Sequence, residues 1–123
     1  MSFAPRIVRS RIGNQVVHPG RILFDQFMQP FGIGQNALAR RLGVSPRRIN
    51  EIVLGRRAIT ADTAIRLAAA MGTTEHFWLQ LQIDYELERA HERLRRLPKP
   101  MGEWDPRMVL GDQERSWGDW RDF

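Results

Sequence analysis

The sequence predicts an all-α fold of five helices built around a helix-turn-helix, with an extended arm before it and an irregular tail after it. Apolar residues recur at three- and four-residue spacing between Ile22 and Leu94, and glycine, proline and hydroxyl residues interrupt that pattern where helices end and begin. From Gln35 to Leu54, small, glycine and aliphatic residues also fall where two helices crossing through a tight turn need them. The expected boundaries are an arm over 1–17, a domain over 18–97 whose last helix serves dimerisation, and an acidic, Trp-rich tail over 98–123.

The arm is basic, with Arg6, Arg9 and Arg11, and its Ile7, Val8, Ile12, Val16 and Val17 are weakly strand-like. His18-Pro19-Gly20 opens the first helix, because proline is tolerated in a first turn. Its buried stripe is Ile22, Leu23, Phe27 and Met28, and Pro30 is expected to stop it. Gly32 and Gly34 form the connection. The second helix, Gln35 to Leu42, turns Leu38 and Leu42 to one side and ends at Gly43. Ser45 caps the third, with Pro46 in its first turn and Ile49, Ile52 and Val53 inward, and Gly55 closes it.

Thr60 caps the fourth helix, in which Ala64, Ile65, Leu67 and Ala68 recur until Gly72. Thr73 or Thr74 caps the fifth, which is expected to run to Arg96 before Pro98 and Pro100. Phe77, Trp78, Leu81, Tyr85, Ala90 and Leu94 form its apolar face. Phe77, Trp78, Leu81 and Tyr85 exceed what a five-helix core needs, so they are the candidate dimer or partner contacts.

Charge separates the chain into two halves. Residues 1–57 hold ten Arg against Asp25 and Glu51, a net +8, whereas residues 58–123 are net −3. Eighteen of the nineteen basic residues are Arg, whose planar fork suits bidentate contacts to phosphate and guanine. An anionic partner for the first half, a nucleic acid, is the natural reading, and the helix-turn-helix makes double-stranded DNA the expected one.

Other function classes find little support. The chain has no cysteine, so disulfides and thiolate metal sites are excluded, and no cofactor or metal is expected. No signal-peptide pattern and no run of 18 apolar residues occurs, so a soluble, cytoplasmic protein away from membranes is expected. Gly32-Ile33-Gly34 with Ala37 imitates a dinucleotide loop but follows no strand, and His91-Glu92 begins a zinc motif whose second histidine is replaced by Arg95. Catalytic residues and an enzymatic activity are therefore not expected.

With Gln35 as first residue of a twenty-residue helix-turn-helix, Ala39 is the small residue at the helix crossing, Gly43 makes the turn, and Leu38, Leu42, Val44, Ile49 and Ile52 face inward. The outward residues follow by subtraction. Ser45, Arg47, Arg48 and Asn50 are the candidate base-contacting residues, since the N-terminal part of a second helix reaches base edges in a major groove. Arg47 suits guanine O6 and N7, and Asn50 suits adenine N6 and N7. Arg48 has a phosphate as its alternative, and Glu51 either reads cytosine or pairs with Arg47. Gln35 and Asn36 at the start of the second helix, together with Arg56, Arg57 and Thr60, are the candidate phosphate contacts.

Several further segments carry a more specific resemblance: His18-Pro19-Gly20, Gln35-Asn36-Ala37-Leu38-Ala39, Arg48-Ile49-Asn50-Glu51-Ile52, the run Gly55 to Ala64, and Phe77-Trp78-Leu79. Over about residues 18–90 the chain resembles the HigA-type antitoxin group, also called the virulence-associated protein I group, of Cro/phage-repressor-like helix-turn-helix proteins. The resemblance implies a homodimer that represses its own operon and neutralises a RelE-like, messenger-RNA-cleaving toxin. A prophage or operon repressor with no toxin is the alternative. Gly34 departs from the group, where serine commonly caps the second helix, and the arm and tail find no match.

The tail holds Trp104, Trp117 and Trp120 among six acids and four basic residues. Two readings stay open: the rings dock on the chain's own domain, or Trp117 and Trp120 bind a partner, for which a basic toxin has the complementary charge.

Overall fold

His18 starts the first helix with its own ring: Nδ1 accepts the Gly20 N–H at 2.9 Å, and Pro19 fills a first-turn position where no N–H is needed. A computed structural model, which describes residues 11–102, has five helices over that range. We label as α1 the continuous helix formed by Pro19–Ile22, a π-helical turn Leu23–Met28, and Gln29–Phe31. It is followed by α2 (Gln35–Leu42), α3 (Pro46–Val53), α4 (Ala61–Met71) and α5 (Glu75–Arg93). Trp104, Trp117, Trp120 and the rest of the acidic tail from residue 103 onward, like the first ten residues of the arm, lie outside the described residues.

Two expected helix ends are corrected. α1 passes through Pro30 and stops at Gly32, whose φ of 64° is left-handed. The π-turn explains this, because the Gln29 N–H reaches back five residues to the Phe24 carbonyl and widens the helix just where the proline ring would otherwise collide with it. α5 ends at Arg93 rather than Arg96. Leu94 turns to extended backbone, and both it and Leu97 are exposed, so no burial holds a further helical turn.

The described part of the arm folds back on itself. β1 (Arg11–Ile12) and β2 (Gln15–Val16) pair antiparallel, Arg11 opposite Val16, through a turn at Gly13, whose φ is 60°. Glu88 of α5 pins this hairpin by accepting the Val16 N–H at 3.1 and 3.2 Å, and Arg11 Nη2 lies 3.6 Å from the same carboxylate.

The core gathers Ile22, Leu23, Phe27 and Met28 of α1, Leu38, Ala39 and Leu42 of α2, and Ile49 and Ile52 of α3. Ile59, then Ala64, Leu67 and Met71 of α4, and Trp78 and Leu81 of α5 complete it. Phe27 and Trp78 stack at 5.0 Å between centroids, tilted by 53°, and the indole N–H donates to Thr73 Oγ1 at 2.7 Å. Thr63 of α4 is a buried polar residue, and so is Gln82 of α5. Its Oε1 accepts the Ile59 N–H at 2.9 Å and its Nε2 donates to Glu86, so the loop after α3 is fixed from α5. Ile65, expected inward on α4, is instead exposed. Among the described residues no helix is long and apolar enough to cross a membrane.

Candidate nucleic-acid interface

The turn between α2 and α3 is built as its sequence requires. Gly43 takes φ 71° and its N–H returns to Ala39 and Arg40, while the Val44 N–H bonds the Ala39 carbonyl at 3.0 Å. Ser45 Oγ then accepts the Arg48 N–H at 3.2 Å and caps α3, with Pro46 following it. Arg66 of α4 locks the turn from outside, donating from Nη1 to the Leu42 carbonyl at 2.7 Å. Ile49, Ile52 and Ala39 are fully buried, so α3 has one rotational setting.

Its far end is held by the first motif of the domain. A Cβ on Gly20 would sit 1.7 Å from the Ile52 carbonyl oxygen, so only glycine lets α1 approach the C-terminal turn of α3 this closely. His18 completes the support: its ring meets Tyr85 edge-on at 4.9 Å. Burial pushes the His18 pKa below the usual histidine value, against the smaller opposing effects of the Arg57 backbone and Glu86. A neutral ring with Nδ1 as acceptor fits that direction.

With that frame set, α3 presents Ser45, Pro46, Arg47 and Asn50 to solvent, with Leu54 exposed at its end. Asn50 Nδ2 donates to Gln35 Oε1 at 3.0 Å, which brings together a base-contact and a phosphate-contact candidate from two helices. Glu51 holds two arginines, accepting Arg47 Nε at 2.7 Å on one oxygen and Arg57 Nε at 2.8 Å on the other. Those bonds, Arg57 first, hold the Glu51 carboxyl below the usual carboxylate range. Asp62 does the same for Arg66 and Arg48, each 3.0 Å from its Oδ2, and its pKa is lowered chiefly by Arg66.

The remaining candidates fall around this surface. Asn36 is exposed at the start of α2, and Arg56 is exposed in the loop after α3 with no carboxylate partner among the described residues. Thr60 Oγ1 is engaged as the N-cap of α4, accepting the Thr63 N–H. Arg48, Arg57, Thr60, Asp62 and Arg66 line one open pocket of about 370 Å³ beside α3. Sequence reasoning did not find Asp62, Arg66 or Gln82. Asp62 and Arg66 have the four-residue spacing of a helical ion pair, but the reach of Asp62 to Arg48 depends on tertiary placement.

Of the four candidate dimer residues of α5, Trp78 and Leu81 are corrected: both are buried in this chain's own core. Phe77 is half-buried and packs against Trp78 at 5.0 Å, and half-buried Tyr85 lies against His18. Exposed apolar residues sit elsewhere on α5, at Ile83 and Leu87.

A helix-turn-helix whose second helix is fixed by burial and whose outer side carries Arg and Asn beside a basic loop defines a DNA-binding protein of the Cro/phage-repressor-like type. Residues 26–79 match the Helix-turn-helix family HTH_3. Virulence-associated protein I of Dichelobacter nodosus is 47% identical over 76 residues, covering 62% of this chain and 70% of that protein. Antitoxin HigA-1 of Vibrio cholerae is 41% identical over 66 residues, covering 54% and 62%. The solved Pseudomonas aeruginosa antitoxin HigA with higBA promoter is 40% identical, with a TM-score of 0.65, over 70% of this chain and 98% of that one. The chain belongs to the HigA-type, or virulence-associated protein I, group of helix-turn-helix proteins.

Proposed function

We propose that the chain is a sequence-specific transcriptional repressor and the antitoxin of a HigBA-like type II pair. As a homodimer in the cytoplasm it binds an inverted-repeat operator, represses its own operon and neutralises a RelE-like, messenger-RNA-cleaving toxin. One observation carries the DNA part: α3 buries Ile49 and Ile52 completely while Arg47 and Asn50 stand outward, with the candidate phosphate contacts Gln35, bonded to Asn50, and exposed Arg56 beside them. The relative solved with a promoter supports the same use of the fold.

Dimerisation supplies the specificity that one recognition helix lacks, with half-sites about one turn, roughly 34 Å, apart. Ile83 and Leu87, with Ala90 one further turn along, give α5 an apolar stripe that a second copy would cover. The toxin reading rests on family membership and on the tail's chemistry, since an RNA-cleaving partner needs a basic face and Trp117 and Trp120 sit among six acids. Co-expression with the neighbouring open reading frame, followed by co-purification and footprinting on the upstream DNA, tests both parts. A protected inverted repeat together with a co-purifying basic protein is expected. Protection with no bound neighbour would leave a stand-alone repressor, and no protection would overturn the DNA reading.

A further inference from the structure

Glu51 is a puzzle on this surface. It is the acid of α3, and a carboxylate turned towards polyphosphate weakens binding to every duplex, whatever its sequence. Each of its oxygens is nevertheless engaged at short range: Oε1 by Arg47 Nε at 2.7 Å and Oε2 by Arg57 Nε at 2.8 Å. The carboxylate is the better buried member of both pairs, with its side chain 24% exposed against 86% for Arg47 and 45% for Arg57.

The choice of donor atom matters. A guanidinium has five N–H groups, and bonding through Nε leaves the two terminal nitrogens pointing away from Glu51 as a pair. That pair is the edge that grips guanine O6 and N7 or two phosphate oxygens. An Arg that is 86% exposed and unheld would sample many rotamers and lose that freedom on binding; one held at Nε is already aimed. Arg57 is held by the same carboxylate, so the loop and the helix are aligned through one residue.

We propose that Glu51 is a positioning residue for sequence discrimination. By holding Arg47 and Arg57 at Nε, it lowers affinity for all duplexes by its charge and raises preference for the cognate one by aiming the two forks. The inference rests on α3 being the base-reading helix, and the test keeps the two apart.

The full chain is used with two duplexes, one selected by the wild type from a random library and one scrambled version of equal length, at two salt concentrations. Glu51→Gln is expected to bind the scrambled duplex more tightly, because a negative charge is gone. Its preference for the selected duplex should fall by at least about threefold, a part of the roughly tenfold discrimination that a bidentate Arg–guanine pair supplies. Glu51→Asp keeps the charge but shortens the reach, so it should lose preference without gaining scrambled affinity. The loss should fall on the base pair that Arg47→Ala relaxes, and Glu51→Gln should add little in an Arg47→Ala background. Equal tightening on both duplexes, with preference unchanged, overturns the inference by making Glu51 a mere charge. An undiminished loss in the Arg47→Ala background also overturns it, by making Glu51 a direct reader of cytosine. If Arg47→Ala itself leaves preference unchanged, the assignment of α3 fails and this inference goes with it.

Discussion

Asn50 donates from Nδ2 to Oε1 of Gln35 at 3.0 Å, so the outer side of α3 is tied to the first turn of α2. The bond uses one of the two Nδ2 hydrogens. The other, with Oδ1, remains for the N7 and N6 edge of an adenine, while the Gln35 amide nitrogen is left to donate to a phosphate.

This pairing predicts non-additive mutants. Asn50→Ala should cost roughly 1 to 3 kcal/mol at a cognate operator. Gln35→Ala removes both a phosphate donor and the brace on Asn50, so the double mutant should be weakened by less than the two singles together. A double-mutant cycle on operator affinity measures this, and additivity within about 0.5 kcal/mol would show that the two residues act independently.

Arg56 and Arg47 should separate by what they lose. Arg56→Ala is expected to weaken selected and scrambled duplexes alike and to reduce the salt slope by about one, because a phosphate contact releases a counterion without reading sequence. Arg47→Ala should relax preference at one base pair. Titrations at two ionic strengths on both duplexes distinguish them, and the reverse pattern would exchange their roles.

Most of the frame was legible because it depends on local rules. Ser45, Thr60 and Thr74 cap the helices they precede, and Gly43, Gly55 and Gly72 all take the left-handed conformation that ends a helical run. The Glu51–Arg47 pair is four residues long and follows from helix geometry. What failed was non-local. Pro30 reads as a stop unless a π-turn precedes it, and the inward turn of Phe77, Trp78 and Leu81 depends on how much space the other helices leave. The link from Arg48 to Asp62 and that from Gln82 to the Ile59 N–H span 14 and 23 residues, beyond any periodic pattern. The outward residues of α3 were readable as a set, but the network of paired charges around them was not.

Two glycines predict opposite outcomes. Gly20→Ala places a methyl 1.7 Å from the Ile52 carbonyl oxygen, backbone against helix, so α1 and α3 must separate. A loss at or above the roughly 1 to 3 kcal/mol of ordinary overpacking is expected. A Cβ on Gly34 would meet nothing within 4 Å, and the residue has an extended N-cap backbone with no side-chain cap, so Gly34→Ser should stabilise by a few tenths of a kcal/mol. Urea unfolding of the two variants beside the wild type checks both signs.

His18 predicts acid sensitivity. Its folded pKa lies below the ordinary histidine value of 6.5, mainly through burial, so between that lowered value and about pH 6.5 the unfolded chain binds more protons than the folded one. The histidine contribution to stability is therefore complete above pH 6.5 and declines as pH falls through that window. Protonation also removes the Nδ1 lone pair that accepts the Gly20 N–H. Unfolding free energies between pH 5 and pH 8, taken on the wild type and on His18→Ala, should show a steeper acid slope in the wild type. Parallel curves would remove His18 as the cause.

The last prediction concerns how two copies meet. Along α5 the acids Asp84, Glu86 and Glu88 precede Arg89 and Arg93, with Arg95 and Arg96 just beyond, and the exposed Ile83 and Leu87 run beside them. A twofold axis must present the same stripe to itself. A parallel arrangement would set acids against acids, whereas an antiparallel crossing near Ala90 sets each acidic end against the partner's basic end. Leu87→Glu should therefore give monomers in sedimentation equilibrium and lose cooperative binding to the inverted repeat, while single-half-site binding persists. Glu86→Arg and Arg93→Glu should each weaken the dimer, and the two together in one chain should restore part of it. If Leu87→Glu remains dimeric, or if the paired charge swap is worse than either single change, the antiparallel contact through α5 is wrong.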